Sequence, residues 1–156
     1  MAWRKEGAQF VEPTALPAWR TMQGPEWVRA SLGVGILGQL EEGDREDFFT
    51  ILQKSGGWAP SLLEQVAKSG HSWAPAALEA LLVLANSKTE TEIRLNALYS
   101  AVQVLSERLN EGARTRSLPA VREEVQPWLE QARKLASTEP FRQEAALVQE
   151  LRRLGL

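Results

Sequence analysis

Apolar residues along this 156-residue chain recur every three or four positions and almost nowhere every two. That period belongs to the helix. No run of alternating β-branched residues and no Asn-Gly or Asp-Gly hairpin signal interrupts it. The clearest stretch is 90–110, where Leu98, Val102, Leu105 and Leu109 stand at i, i+4, i+7 and i+11 and form one apolar stripe. Thr89 and Glu92 supply a T-x-x-E capping box at its start, and Glu90 and Arg94 an i,i+4 pair of the favoured polarity. Gly112 lies just past the expected end.

Prolines punctuate the remainder. Pro25, Pro60, Pro75, Pro119 and Pro140 each stand at the front of a helical pattern, where a missing N–H costs nothing. The pattern predicts helices near 14–23, 25–40, 44–54, 60–68, 75–86, 90–111, 118–136 and 139–154. Asp44 is placed to cap the third, and Gly56-Gly57 stop it. Pro127 falls inside the seventh, yet Val121, Val125, Trp128, Ala132 and Leu135 keep one stripe running across it. Either a kinked helix or two short collinear helices fits.

The fold expected is therefore all-α: a single compact domain over 1–156, of about seven or eight helices in a bundle. A short HEAT-like array of helix pairs is the alternative, but no period of roughly 34–47 residues supports it. Residues 1–13 read as an N-terminal arm, 14–86 as short helices broken by Trp, Gly and Pro, and 87–156 as longer regular helices.

One phrase occurs twice: Trp58-Ala59-Pro60 and Trp73-Ala74-Pro75, 15 residues apart. That is too close for a solenoid unit of roughly 20–50 residues. With each proline as the first helical residue, the preceding alanine is pushed to extended geometry. The tryptophan then stands at N′ and Leu63 or Leu78 at N4, the spacing of a hydrophobic staple. The phrase thus marks two helix starts. A proline-recognition groove lined by the two indoles is the weaker reading, since buried aromatics usually serve the core.

Composition narrows the chemistry. With no cysteine, the chain has no disulfide, thiolate metal site, iron–sulfur cluster or cysteine nucleophile. This suits a reducing cytoplasm, the location expected. The segment MAWRKEGAQFVEP lacks the apolar region of a secretory signal. The longest uncharged run, Leu95 to Ser106, has 12 residues, against the ~20 a membrane span needs. A net charge of −2 gives no global field for nucleic acid or an anionic membrane.

Four local patterns invite a chemical reading. Gly33-Val34-Gly35-Ile36-Leu37-Gly38 spells G-x-G-x-x-G, but its flanks are helical and no βαβ unit surrounds it. Ser31, Gly35 and Gly38, at i, i+4 and i+7, instead suggest a flat strip for close helix packing. His71, the single histidine, lies in the predicted turn KSGHSW beside Ser69 and Ser72, and sequence adjacency does not make a triad. Asp44, Glu46 and Asp47 are a dense acidic cluster that the first turn of a helix explains. Residues 113–156 carry eight basic and six acidic side chains. There Arg114, Arg116, Arg122, Arg133, Arg142 and Arg153 are candidate phosphate contacts, with Arg122 and Arg133 expected on one helix face.

The apolar termini complete the picture. Trp3 and Phe10 in the arm, and Phe141, Val148, Leu151 and Leu154 near the C-terminus, are candidate partner-interface residues. The expected function is a non-enzymatic protein–protein interaction or scaffold module that holds a partner, or a second copy of itself, through apolar helix faces. The alternative is a small helical subunit of a nucleic-acid-processing complex that touches phosphates through the C-terminal arginines. No catalytic constellation, cofactor, metal or membrane partner is expected.

Overall fold

Eight α-helices joined by tight turns account for residues 15–155, the part of the chain described by a computed structural model; these residues contain no strand. In chain order they are α1 (15–21), α2 (Glu26–Gly35), α3 (Arg45–Gln53), α4 (Ala59–Lys68), α5 (Ala74–Ala85), α6 (Thr91–Arg114), α7 (Leu118–Ala136) and α8 (Ala145–Arg153). α6, with 24 residues, is the axis of an all-α, bundle-like fold: α4, α5, α7 and α8 all pack on it, while α2 and α3 pack on each other and on α4. One buried cluster runs from Trp19 and Phe48 through Leu63, Leu78, Leu98 and Leu105 to Leu129, Phe141 and Leu147. The whole stripe from Leu98 to Leu109 lies within it, so the 3.6-residue period does set the fold.

Element ends differ from the pattern wherever packing outweighs a local signal. The glycine-rich helix is not continuous: α2 stops at Gly35, and a 3-10 turn, Leu37–Gln39, follows. Two glycines of low helix propensity let the chain unwind there. The T-x-x-E box does not form, because α6 begins at Thr91 after an extended Glu90, with no side-chain cap. Arg94 does not pair with Glu90; it reaches the Ala85 carbonyl at the end of α5 (2.9 Å) and lies over the Phe141 ring (5.2 Å). A cation suits the negative end of a helix.

Gly112 does not end α6 but lies buried within it, where α7 passes close by. A Cβ there would come within 3.0 Å of Val121. The helix closes later. The Ser117 N–H bonds to the Gly112 carbonyl (2.8 Å) and the Arg116 N–H to that of Ala113 (3.4 Å), with Arg116 at φ 59°. This is a Schellman motif with arginine in the left-handed position usually held by glycine. α7 is a single helix across Pro127, which sits on its exposed side. The expected helix over 139–154 starts late: Phe141–Gln143 is a 3-10 turn that inserts Phe141 into the core, and α8 begins at Ala145.

Candidate functional site

The two copies of Trp-Ala-Pro have separate fates. Ala59 is helical (φ −56°, ψ −48°), not extended, and Pro60 is the second helical residue rather than the first. A 3-10 turn, Gly56–Trp58, already winds the chain, and a proline anywhere in the first turn forfeits only an N–H with no helical acceptor. Both tryptophans become N-caps. The register of a staple then falls on Gly57 and Leu62, and on Ser72 and Ala77, so neither copy places an apolar side chain at N′.

Trp73 is 2% exposed, packs against Phe48 (5.6 Å between ring centroids) and donates its indole N–H to Glu42 Oε2 (3.3 Å). Trp58 is 53% exposed. Its ring stacks on that of Trp27, with centroids 4.9 Å apart and planes 15° from parallel. Trp27 is itself 41% exposed and its neighbour Val28 37%. Among the described residues these three and Val83 are the large hydrophobic side chains most open to solvent. Three of the four therefore cluster where the start of α2 meets the start of α4.

The apolar C-terminus is not such a surface. Phe141, Leu151 and Leu154 are buried within the chain and Val148 is half-buried, because α8 lays its apolar face on α6 and α7. In this fold the first three are turned into the chain's own core. Trp3 and Phe10 lie outside the described residues.

Nor do the six arginines form a ridge. Arg122 is turned to the Leu154 carbonyl (3.1 Å), which fastens the C-terminal end to α7. Arg153 donates to Ser106 Oγ (2.6 Å) and Glu150 (2.6 Å), and it holds the Glu150 carboxyl below the usual range. Arg114 pairs with Glu111, Arg142 with Glu139 (2.5 Å), and Arg116 closes α6. Arg133 makes no ion pair among the described residues. It shares a cleft with Arg142, Val148 and Leu151, so two predicted phosphate contacts and two predicted interface residues meet at one place.

A cavity of about 1080 Å³ forms an open groove between the α4–α5 turn and α6. His71 lines it, but its Nδ1 accepts the Trp73 backbone N–H (3.0 Å), which leaves the proton of the neutral ring on Nε2. Ser69 Oγ donates to the Val66 carbonyl (2.6 Å) and accepts from the His71 backbone N–H (3.3 Å), so it is not aligned with the imidazole. Lys68 lies between Glu64 (2.6 Å) and Glu107 (3.2 Å), and these carboxylates raise its ammonium above lysine's ordinary range, Glu64 most strongly. A lysine so held stays protonated and is a poor nucleophile.

The other motifs resolve into packing. Among the described residues no strand precedes the G-x-G-x-x-G segment, and of its glycines only Gly33 is closely packed: a Cβ there would lie 2.7 Å from Trp19 Nε1 and 3.1 Å from Phe48. Gly35 and Gly38, expected to form the flat strip, have open space around them. Asp44 does not cap α3. Its carboxylate takes a two-pronged pair from Arg20 (2.9 Å and 2.9 Å) and accepts the Glu41 N–H (2.9 Å), closing the turn before the helix. These bonds, those from Arg20 foremost, hold its carboxyl below the usual range. Asp47 pairs with Arg29 (2.7 Å). No group of three His, Asp or Glu side chains among the described residues is placed to hold a metal ion, and none of their helices is long and apolar enough to cross a membrane. Comparison of the chain with family models, curated proteins and solved structures gives no match.

Proposed function

We propose that this protein is a helical interaction module that engages a protein partner through the Trp27–Trp58 pair and Val28. The observation that carries the reading is the exposure of two stacked indoles where the described residues otherwise bury most of their apolar side chains. Tryptophan is the side chain most enriched where binding energy concentrates, since it offers a large rigid surface at small entropic cost. Core packing does not require this pair: about half of Trp58 remains in water, while Trp19 and Trp73 fill the interior. The stack pre-organises both rings, so little freedom is lost when a partner covers them.

The test is the double variant Trp27→Ala/Trp58→Ala. Its unfolding midpoint is expected to stay close to that of the parent, because about half of each side chain is already in water and neither belongs to the buried core. Light scattering and partner co-purification are expected to show an association in the parent that the variant loses. A variant that keeps every association of the parent, or that unfolds, contradicts the proposal: the first outcome removes the pair from binding, and the second makes it a structural clamp.

A further inference from the structure

A second, independent feature lies at the other end of the sequence, where α7 and α8 finish. Arg133 and Ala136 from α7, Arg142 from the 3-10 turn, and Val148, Leu151 and Arg152 from α8 line a cleft of about 420 Å³. That volume lies within the ~300–1,000 Å³ usual for small-molecule sites. The cleft has an apolar floor, since Ala136 and Leu151 are buried and Val148 half-buried. Its charged lining is all of one sign: three arginines and, among the described residues, no carboxylate.

Two of those guanidinium groups are uncommitted. Arg142 is bound to Glu139 (2.5 Å), but Arg133 and Arg152 make no hydrogen bond or ion pair through their side chains among the described residues. Nor does the end of α7 occupy them. In its last turn the carbonyls of Arg133, Lys134 and Leu135 are already met by Ser137 Oγ on Lys134 (2.7 Å), Thr138 Oγ1 on Leu135 (2.7 Å) and the Ser137 and Thr138 N–H groups. Most other described arginines have a carboxylate partner, as Arg20 has in Asp44 and Arg153 in Glu150, while Arg94 and Arg122 donate to backbone carbonyls and Arg116 makes no side-chain bond among the described residues. Two unmatched guanidinium groups over an apolar floor fit a small molecule with a dianionic head and an apolar body.

From this juxtaposition we propose that the cleft between the ends of α7 and α8 binds a phosphate monoester carrying an apolar or planar organic group. The phosphate pairs with Arg133 and Arg152, and the organic group lies on Ala136, Val148 and Leu151. The site does not depend on the tryptophan pair, so either can fail without the other.

The probe is 1-naphthyl phosphate, titrated against the full chain at low salt and followed by its fluorescence. Inorganic phosphate tests the head alone, and 1-naphthol tests the body alone. Saturable binding of the monoester is expected, with both fragments about tenfold weaker or more, since each lacks half of the contacts. Arg133→Gln/Arg152→Gln is expected to weaken the monoester by about tenfold or more. Val148→Glu, which puts a carboxylate into the cleft, is expected to abolish binding and guards against misfolding of the double variant. The proposal is overturned if the monoester does not saturate, if inorganic phosphate binds equally well, or if either well-folded variant binds like the parent. That last result would leave the arginines as partners of the helix dipoles alone.

Discussion

At the scale of single residues, Gly33 shows how a motif can be present while its chemistry is absent. In a dinucleotide fingerprint all three glycines would be needed; here only Gly33 is, because Trp19 and Phe48 lie on it. Gly33→Ala is therefore expected to lose ~1–3 kcal/mol by overpacking, while Gly35→Ala at the open end of α2 is expected to be neutral or to gain up to ~1 kcal/mol. Denaturant midpoints of the two variants check this, and equal losses would contradict it.

Asp44 carries a pH signature. Its folded carboxyl titrates below the unfolded value because Arg20 and the Glu41 N–H favour the charged form. The stabilisation is thus present above the unfolded value of ~3.9 and is lost as pH falls through the lowered one. Asp44→Asn is expected to cost ~1–3 kcal/mol at neutral pH. The gap from the parent should close as the pH is taken below ~4, and a gap that stays constant down to acid would rule out the ion pair as its source. None of this was legible as such. The acidic cluster reads as a helix cap because sequence shows neighbours along the chain, and Arg20 is 24 residues away.

Among the elements, periodicity located every described helix, and packing moved their ends. The stripe through Leu98 and Leu109 depends on many residues at once, so no single exception disturbs it. A cap depends on one or two side chains, and at α6 both signals gave way. Arg94 donates to the Ala85 carbonyl at the end of α5 rather than to Glu90, and Gly112 serves a close crossing with α7. The actual stop falls on Arg116, whose left-handed backbone costs an L-residue roughly 1–2 kcal/mol that glycine does not bear. Arg116→Gly is expected to stabilise the protein by ~1 kcal/mol, read as a raised thermal midpoint. A lowered midpoint would mean that the arginine side chain contributes more than its backbone costs.

For the molecule as a whole, the question is which apolar surface remains after folding. Sequence nominates the C-terminal helix because its apolar residues are many, but α6 and α7 offer them a place within the same chain. It gives no reason to separate Trp58 from Trp73, since both stand in the same phrase. The difference arises in three dimensions: the aromatic pocket of Phe48 and Phe49 receives Trp73, whereas among the described residues Trp58 has Trp27, at the surface, as its aromatic neighbour. The arginine cleft is likewise legible only in part, since the sequence points to Arg133 and Arg142 as phosphate contacts and not to Arg152.

The most direct measurement replaces Val28 with a photo-crosslinking amino acid in cells that express the protein natively, with the same replacement at exposed Val83 on α5 as the control. A discrete adduct is expected from position 28, absent from position 83, that disappears when Trp27 and Trp58 are both alanine and the fold is intact. No adduct from position 28, or one that persists without the two indoles, would contradict it.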